Sequence, residues 1–580
     1  MAIVIDPLVE AAISNLFQCV TSVLKDKVGL ICNAKLELKK LQEKLERLQK
    51  AIKAIEQIPF FSNEHNRDLE VKLKDVFYDA QDIIKRYQTT IALCKKDKHS
   101  ITSWNKVRKP WITLSCCFKE HVSASYQLGN EIKKINQNLN EIEQCKEMVD
   151  LLNATPKVKS EDPIGGEHDN PRETTQLINT AQPPMGRADD KEKVKKLLFD
   201  GFTESSALGK DGVFIVSIVG QGGIGKTTLA KKVFNEVEEQ FGNRRWWVCV
   251  SEKPNRMGLL QKILKEVSKE SKGEPLKGNT SFPDLCTQLQ NELSKSKFLL
   301  VLDDLWELDW WVGEVEGILL GGAKESKILI TSRKVEVSEG IGAKMHKLPQ
   351  MSFDERWSLF LRVAKKQEHD LESHNLKGIG KKIVAKCGGL PLVVQKVGSL
   401  MRTKGMMKDD WESIEKSEIW KWKMPASLSS SEISGSILPG LILSYDDLPH
   451  YLKSCFVYCC IYPKDYVIER NRLVMQWIAH GLIDQDKGID VEVIANQWIK
   501  ELINRFMIEE TEDKNLKLHD ILHDLALYVG GKEYSHASAT EHTRHLSLLD
   551  VDDAEADKDN VSEAASKLRT LLCNSYSHSK

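Results

Sequence analysis

Apolar residues recur at alternating spacings of four and three through Ala34, Leu38, Leu41, Leu45, Leu48, Ile52 and Ile55, with Lys, Glu and Gln between them. That rhythm puts the apolar side chains on one seam of a long helix. Leu69, Leu73, Val76, Ala80, Ile83 and Tyr87 repeat it, as do Leu128, Ile132, Ile135, Leu139 and Ile142. An earlier stretch, Leu8 to Leu24, is apolar over a wider face, with Pro7 placed where a first helical turn accepts it. Four such helices bury their seams together as a bundle over residues 1–150. A helix from another chain satisfies the same seams, so self-association is a second way to cover them.

The pattern then changes twice. Cys94 to Trp111 is locally basic with two Trp, and reads as a solvated loop. Residues 151–185 lose all periodicity and carry Pro156, Pro163, Gly165, Gly166, Pro171, Pro183 and Pro184, which marks a linker. From 186 to 345, β-branched and apolar runs (Val213–Val219, Trp246–Val250, Phe298–Leu302 and Lys327–Thr331) alternate with helical segments. Alternation of this kind predicts a parallel sheet covered on both faces. The chain turns mostly helical again after about 350.

Composition narrows the class. The 580 residues are 41% hydrophobic and 29% charged, with a net charge of -1. A length of this size implies several domains, at about 150 residues each. The balance excludes global disorder and gives no overall pull toward nucleic acid. No apolar run approaches the roughly 18 residues of a spanning helix. The 13 Cys form no CxxC pair, and Cys455, Cys459 and Cys460 sit at helical spacing among aromatics. They read as buried, reduced thiols of a cytoplasmic protein.

Gly220-Gln221-Gly222-Gly223-Ile224-Gly225-Lys226-Thr227-Thr228 matches the pattern GxxxxGK[ST] and lies between an apolar strand and a helix. That setting is what the chemistry needs: glycines let the backbone wrap a phosphate and turn its N–H groups inward, and the helix N-terminus adds a favourable dipole. Lys226 reaches the β- and γ-phosphates, and the Thr227 hydroxyl ligates Mg²⁺. Phe298 to Leu302 leads into Asp303 and Asp304. Asp303 stands where a carboxylate holds Mg²⁺, and Asp304 is the candidate catalytic base or water-orienting group. A third strand, Lys327–Thr331, ends in Ser332-Arg333, which faces the ligand crevice and reads as a γ-phosphate sensor.

In this order the motifs resemble the plant coiled-coil, NB-ARC, leucine-rich-repeat immune receptors. Phe241-Gly242 with Trp247-Val248-Cys249-Val250-Ser251, then Asp303-Asp304-Leu305-Trp306 and Thr331-Ser332-Arg333, are similar to that family's inter-motif blocks. So are Cys387-Gly388-Gly389-Leu390-Pro391-Leu392, Leu443 to Pro449, Tyr462-Pro463-Lys464-Asp465 and Leu518-His519-Asp520. The resemblance implies a P-loop domain over 186–345, a helical domain over 346–420, a winged helix over 421–530 and the start of leucine-rich repeats over 531–580. It implies that Pro391 packs near the adenine, that Gly186-Arg187 passes beside the base, and that His519 reaches the β-phosphate of ADP. It also implies a cycle between an ADP-bound closed monomer and an ATP-bound oligomer. The trigger would be a pathogen effector or guarded host protein, and the N-terminal helices would act at the plasma membrane, with Glu10 as a carboxylate ring in a pore. No specific nucleic acid is expected.

Two departures stand out. The family's Glu-Asp-Val-Ile-Asp stretch reads Gln81-Asp82-Ile83-Ile84-Lys85 here, so docking of the third helix onto a basic repeat surface is expected to weaken. Arg544 to Leu548 and Leu568 to Leu572 look like opening repeats, after which the chain stops, as a fragment or truncated member would. The residues leave three functions open: a nucleotide switch, a P-loop ATPase whose turnover is the function, and a helical adaptor with structural nucleotide.

Overall fold

In a computed structural model the protein is described over residues 7–25, 30, 32–55, 67–101, 110–145, 186–199, 212–250, 256–268, 281–311, 313–421, 438–483, 490–536, 538–540, 542–549 and 567–573. The linker 151–185 lies outside these residues.

Four helices open the chain: α1 (Pro7–Lys25), α2 (Cys32–Ile55), α3 (Arg67–Ile101) and α4 (Pro110–Glu143). Their seams meet in a core of Ala12, Ile13, Leu16, Val20, Leu38, Leu41, Leu45, Phe77, Ala80, Ile84, Ile132 and Leu139, among others. The basic stretch 94–111 is not one loop. α3 continues to Ile101 and α4 begins at Pro110, eighteen residues before Leu128. Lys, His and Ser tolerate a helix, and Pro110 starts one because its missing N–H is not needed there. The third seam also shifts: Ile84 is fully buried while Ile83 is only partly so. Glu10 lies in α1, and its side chain is outside the described residues.

The second body is a five-stranded sheet with order β2-β3-β4-β1-β5. The strands β1 (Phe214–Val219), β2 (Arg245–Cys249), β3 (Leu299–Leu305), β4 (Lys327–Ser332) and β5 (Lys344–Lys347) pair in parallel throughout. Every residue of β4 is buried, as covered parallel sheets require. Helix α5 (Lys226–Glu236) follows β1 directly, and packs on β1, β3 and β4.

Helix α6 (Pro391–Thr403) belongs to the helical region after the sheet and is buried along most of its length. The winged-helix part contributes a short hairpin, β6 (Glu509–Glu510) with β7 (Leu516–Lys517), and helix α7 (Asp520–Gly530). Its core takes Cys455, Cys459 and Cys460 as free, buried thiols, with burial pushing Cys459 up to about 12. Beyond it, β8 (Tyr534–His536), β9 (His545–Leu548) and β10 (Thr570–Cys573) form a small parallel ladder.

The bundle docks on this last region through α3, against the weakened docking expected from its altered motif. Arg544, whose side chain is 0% exposed, pairs with Asp75 at 2.6 Å, and Arg569 pairs with Asp82 at 2.8 Å. Gln81 accepts a hydrogen bond from Arg569 at 2.9 Å. Tyr78 lies under both guanidinium groups, at 4.2 Å from Arg569 and 5.5 Å from Arg544. The acids that matter begin two turns earlier on the helix than the missing ones, so the basic surface is still met.

Candidate phosphate-binding site

The site forms where the carboxyl ends of β1, β3 and β4 meet the start of α5. Gly223 and Gly225 hold φ of +72° and +97°, a conformation that costs side-chain-bearing residues energy. No side chain caps α5, so its first-turn N–H groups stay open to a ligand. Lys226 is 6% exposed, and its ammonium donates to Gly220 O at 2.9 Å and Gln221 O at 3.1 Å. Burial pulls its pKa down to about 8, against the opposing pull of Asp304. A cation held this dry fits an anionic ligand, which would raise its pKa again.

Asp303 accepts from the Thr227 hydroxyl at 2.9 Å and the Thr331 hydroxyl at 2.6 Å. The two predicted Mg²⁺ ligands, Thr227 and Asp303, are therefore in contact. Burial raises the Asp303 pKa despite these bonds. Thr228 is exposed at the next position.

Asp304 adopts φ +59° and points its carboxylate at Trp306 Nε1 (3.1 Å) and Arg333 Nη2 (3.3 Å). Arg333 stacks on Trp306 at 4.4 Å and also pairs with Asp520 at the start of α7. The guanidinium is thus shared by the sheet and the winged helix. Asp304, Asp465 and Asp520 approach one another within 4.8 Å around it. Desolvation drives the Asp520 carboxyl well upward, while Arg333 helps hold Asp304 down.

The remaining predicted residues converge too. Leu392, next to Pro391 at the start of α6, donates its N–H to Gly223 O at 3.3 Å, and its Cβ fills the space a Gly223 side chain would need. Ile521 of α7 similarly covers Gly222, at 2.9 Å from an added Cβ. His519 caps α7 by accepting Ile521 N–H at Nδ1, and burial lowers its pKa to about 4. A neutral imidazole whose Nδ1 accepts must carry its proton on Nε2, so it can donate from that side. Arg187 closes the far side, donating to Ile224 O at 3.2 Å and Pro349 O at 2.6 Å. Its backbone N–H goes to Glu355, which also completes the capping box of Ser352.

Asp465 was not among the expected site residues. Its motif was visible as Tyr462 to Asp465, but only the fold turns it toward Asp304, with Lys517 beside it at 2.7 Å. Lys396 was also missed: it is 2% exposed inside α6, and burial pulls it down to about 7.

A glycine-wrapped helix N-terminus, a buried lysine, a Thr–Asp pair and an arginine shared with a winged helix define a P-loop nucleotide-binding protein. Comparison with known families bears this out. Residues 188–370 match the NB-ARC domain, 461–526 the disease resistance protein winged helix domain, and 12–111 the Rx N-terminal domain. The chain belongs to the plant coiled-coil NB-ARC disease resistance proteins. It is 29% identical to disease resistance protein RGA2 of Solanum bulbocastanum, over 92% of this chain and 51% of that one. It is 32% identical to putative disease resistance RPP13-like protein 1 of Arabidopsis thaliana, over 70% of this chain and 38% of the relative. The chain spans about half the length of the first relatives it matches. A signal transduction ATPase with a tetratricopeptide repeat sensor from Pyrococcus horikoshii overlays at a TM-score of 0.36 and 17% identity, over 55% of this chain and 41% of that one, too loosely to transfer any residue. No described helix is long and apolar enough to cross a membrane.

Proposed function

We propose that this chain is the nucleotide switch of an intracellular plant immune receptor, closed with ADP and opened by exchange for ATP with Mg²⁺. The observation that supports it is Arg333, buried and divided between Asp304 of the sheet and Asp520 of the winged helix. A ligand shifts an equilibrium only by its differential affinity for the two states. The γ-phosphate that distinguishes ATP from ADP supplies a negative charge in competition with Asp520 for that guanidinium. On this reading Arg333 senses nucleotide and latch through the same atoms.

The other roles belong to the same proposal. Gly220, Gly222, Gly223, Ile224 and Gly225 offer backbone around the phosphates, with Lys226 as the cation and Thr228 in the first turn. Thr227 and Asp303 hold Mg²⁺, Pro391 packs near the base, and His519 donates Nε2–H to the ADP β-phosphate. Asp304 serves any hydrolysis that resets the switch. Its carboxylate is committed to Arg333 and Trp306, which weighs against rapid turnover as the function. The open form self-associates, acts at the plasma membrane and drives defence and hypersensitive cell death, triggered by a pathogen effector or a guarded host protein. The test is the nucleotide that copurifies: stoichiometric ADP, lost in Lys226→Ala, is expected. A nucleotide-free chain, or turnover near the enzyme median of about 10 per second, defeats the switch reading.

A further inference from the structure

We propose that Lys396 is an unpaired charge which the closed form encloses between α6 and the winged helix, and which biases the switch toward release of ADP. The inference rests on the switch reading and adds to it a residue that opposes closure. Helix α6 is buried nearly all round: from Leu392 to Met401 only Gln395 keeps part of its surface. A lysine at its centre has no open side along which to extend its ammonium to water. The face that carries Lys396 is the one the winged helix covers. One turn before it, Leu392 meets Ile521 of α7 over Gly223. Three residues after it, the Ser399 hydroxyl donates to Asn504 O at 3.2 Å. Residues three and four apart share a helix face, so Lys396 lies between these two contacts.

Lysines are rarely buried to this degree without a partner. Lys74 pairs with Glu533 at 2.9 Å, and Lys226 donates to two carbonyls of its own loop. Lys396 makes no hydrogen bond or ion pair among the described residues. Glu509 on β6 is the charge that pulls against its desolvation, but it is itself exposed and outside ion-pair distance. His519 is the other titratable group near it, and Lys396 helps to hold that imidazole neutral. Burial brings the ammonium from its ordinary 10.5 down to about 7.

An enclosed charge of this kind penalises the state that encloses it, and an apolar side chain of similar length carries no such penalty. Moving the winged helix off α6 lets water reach the ammonium and relieves it. Below about pH 7 the group is charged in both forms, and the closed form bears the whole penalty. As pH rises from about 7 toward 10.5, the closed form holds it neutral and the penalty shrinks. His519, held to about 4, does not titrate in that range.

Release of a fluorescent ADP analogue from the full chain tests this, with wild type compared to Lys396→Met, which keeps the length and removes the charge. The variant is expected to melt higher and to release the analogue about tenfold more slowly at about pH 7. That ratio should narrow to about threefold near pH 9, where the wild-type ammonium is neutral in the closed form. Titration of groups common to both chains, Lys226 included, cancels in the ratio, and a change of packing alone gives a ratio that does not move with pH. Lys396→Arg stays charged throughout, so its ratio to Lys396→Met should not narrow. Where wild type holds ADP, a Lys396→Met chain that melts lower, releases as fast as wild type, or keeps a constant ratio over this range overturns the inference alone. A wild type that copurifies without ADP defeats the switch reading, and this inference with it.

Discussion

Asp520→Val removes the winged-helix share of Arg333 and leaves the guanidinium on Asp304, at 3.3 Å, and on the Trp306 ring. Both side chains of the lost pair are 8% exposed, so water cannot replace it cheaply. Taking away one member of a buried pair costs about 3–5 kcal/mol. Because Asp304 remains, we place the loss nearer to about 2–3 kcal/mol, a shift of roughly 30- to 150-fold from closed to open. Release of a fluorescent ADP analogue should quicken by that order, and protease should cut more readily within α7. In leaf tissue, the variant should cause cell death where equal amounts of wild type do not. Unchanged ADP release from a folded, nucleotide-loaded Asp520→Val chain refutes the shared-arginine latch.

Three further outcomes are expected. Lys226→Ala should lose nucleotide binding by calorimetry; normal affinity removes the phosphate assignment. Asp75→Arg strips the fully buried Arg544 of its 2.6 Å partner, so the bundle should undock and show faster hydrogen exchange in α3. Adding Arg544→Asp should restore protection, and failure of the swap to recover any of it contradicts a charge-based dock. Burial holds His480, His519 and His536 down to about 4 and His545 well below its usual 6.5. A depressed histidine contributes its full stability above about pH 6.5 and loses it as pH falls toward 4, at about 1.4 kcal/mol per pH unit for each group. Thermal melting should therefore drop between pH 7 and pH 5, and a flat melting temperature counts against it.

Much of this was legible because the signals were local. β1, β3 and β4 announce themselves as apolar runs, and the phosphate loop sits at the end of one. β5 does not: Lys344-Met345-His346-Lys347 is an edge strand, only partly buried, and has no apolar run to betray it. The bundle seams followed from spacing, but the register of α3 against the C-terminal ladder did not. Asp75 and Arg544 are 469 residues apart, and no periodicity connects them. Separation along the chain also hid Asp465, which approaches Asp304 from 161 residues further on. Leu16 shows the reverse lesson. It lies fully buried in the bundle core, so a charged replacement tests packing before it tests any membrane role of α1.

Helix α7 has a further consequence. It begins at Asp520, on Arg333, and ends at Gly530, three residues before Glu533. Glu533 bonds Lys74 of α3 at 2.9 Å and Tyr78 at 3.3 Å. Eleven helical residues make a rod about 16 Å long. A tilt of about 10° at its phosphate end swings the far end by about 3 Å, from the same rod length. That travel is as large as the Lys74–Glu533 contact itself. A rod of this length would act as a lever arm: if unseating Asp520 from Arg333 tilts it, the grip on the bundle loosens without any ligand reaching it.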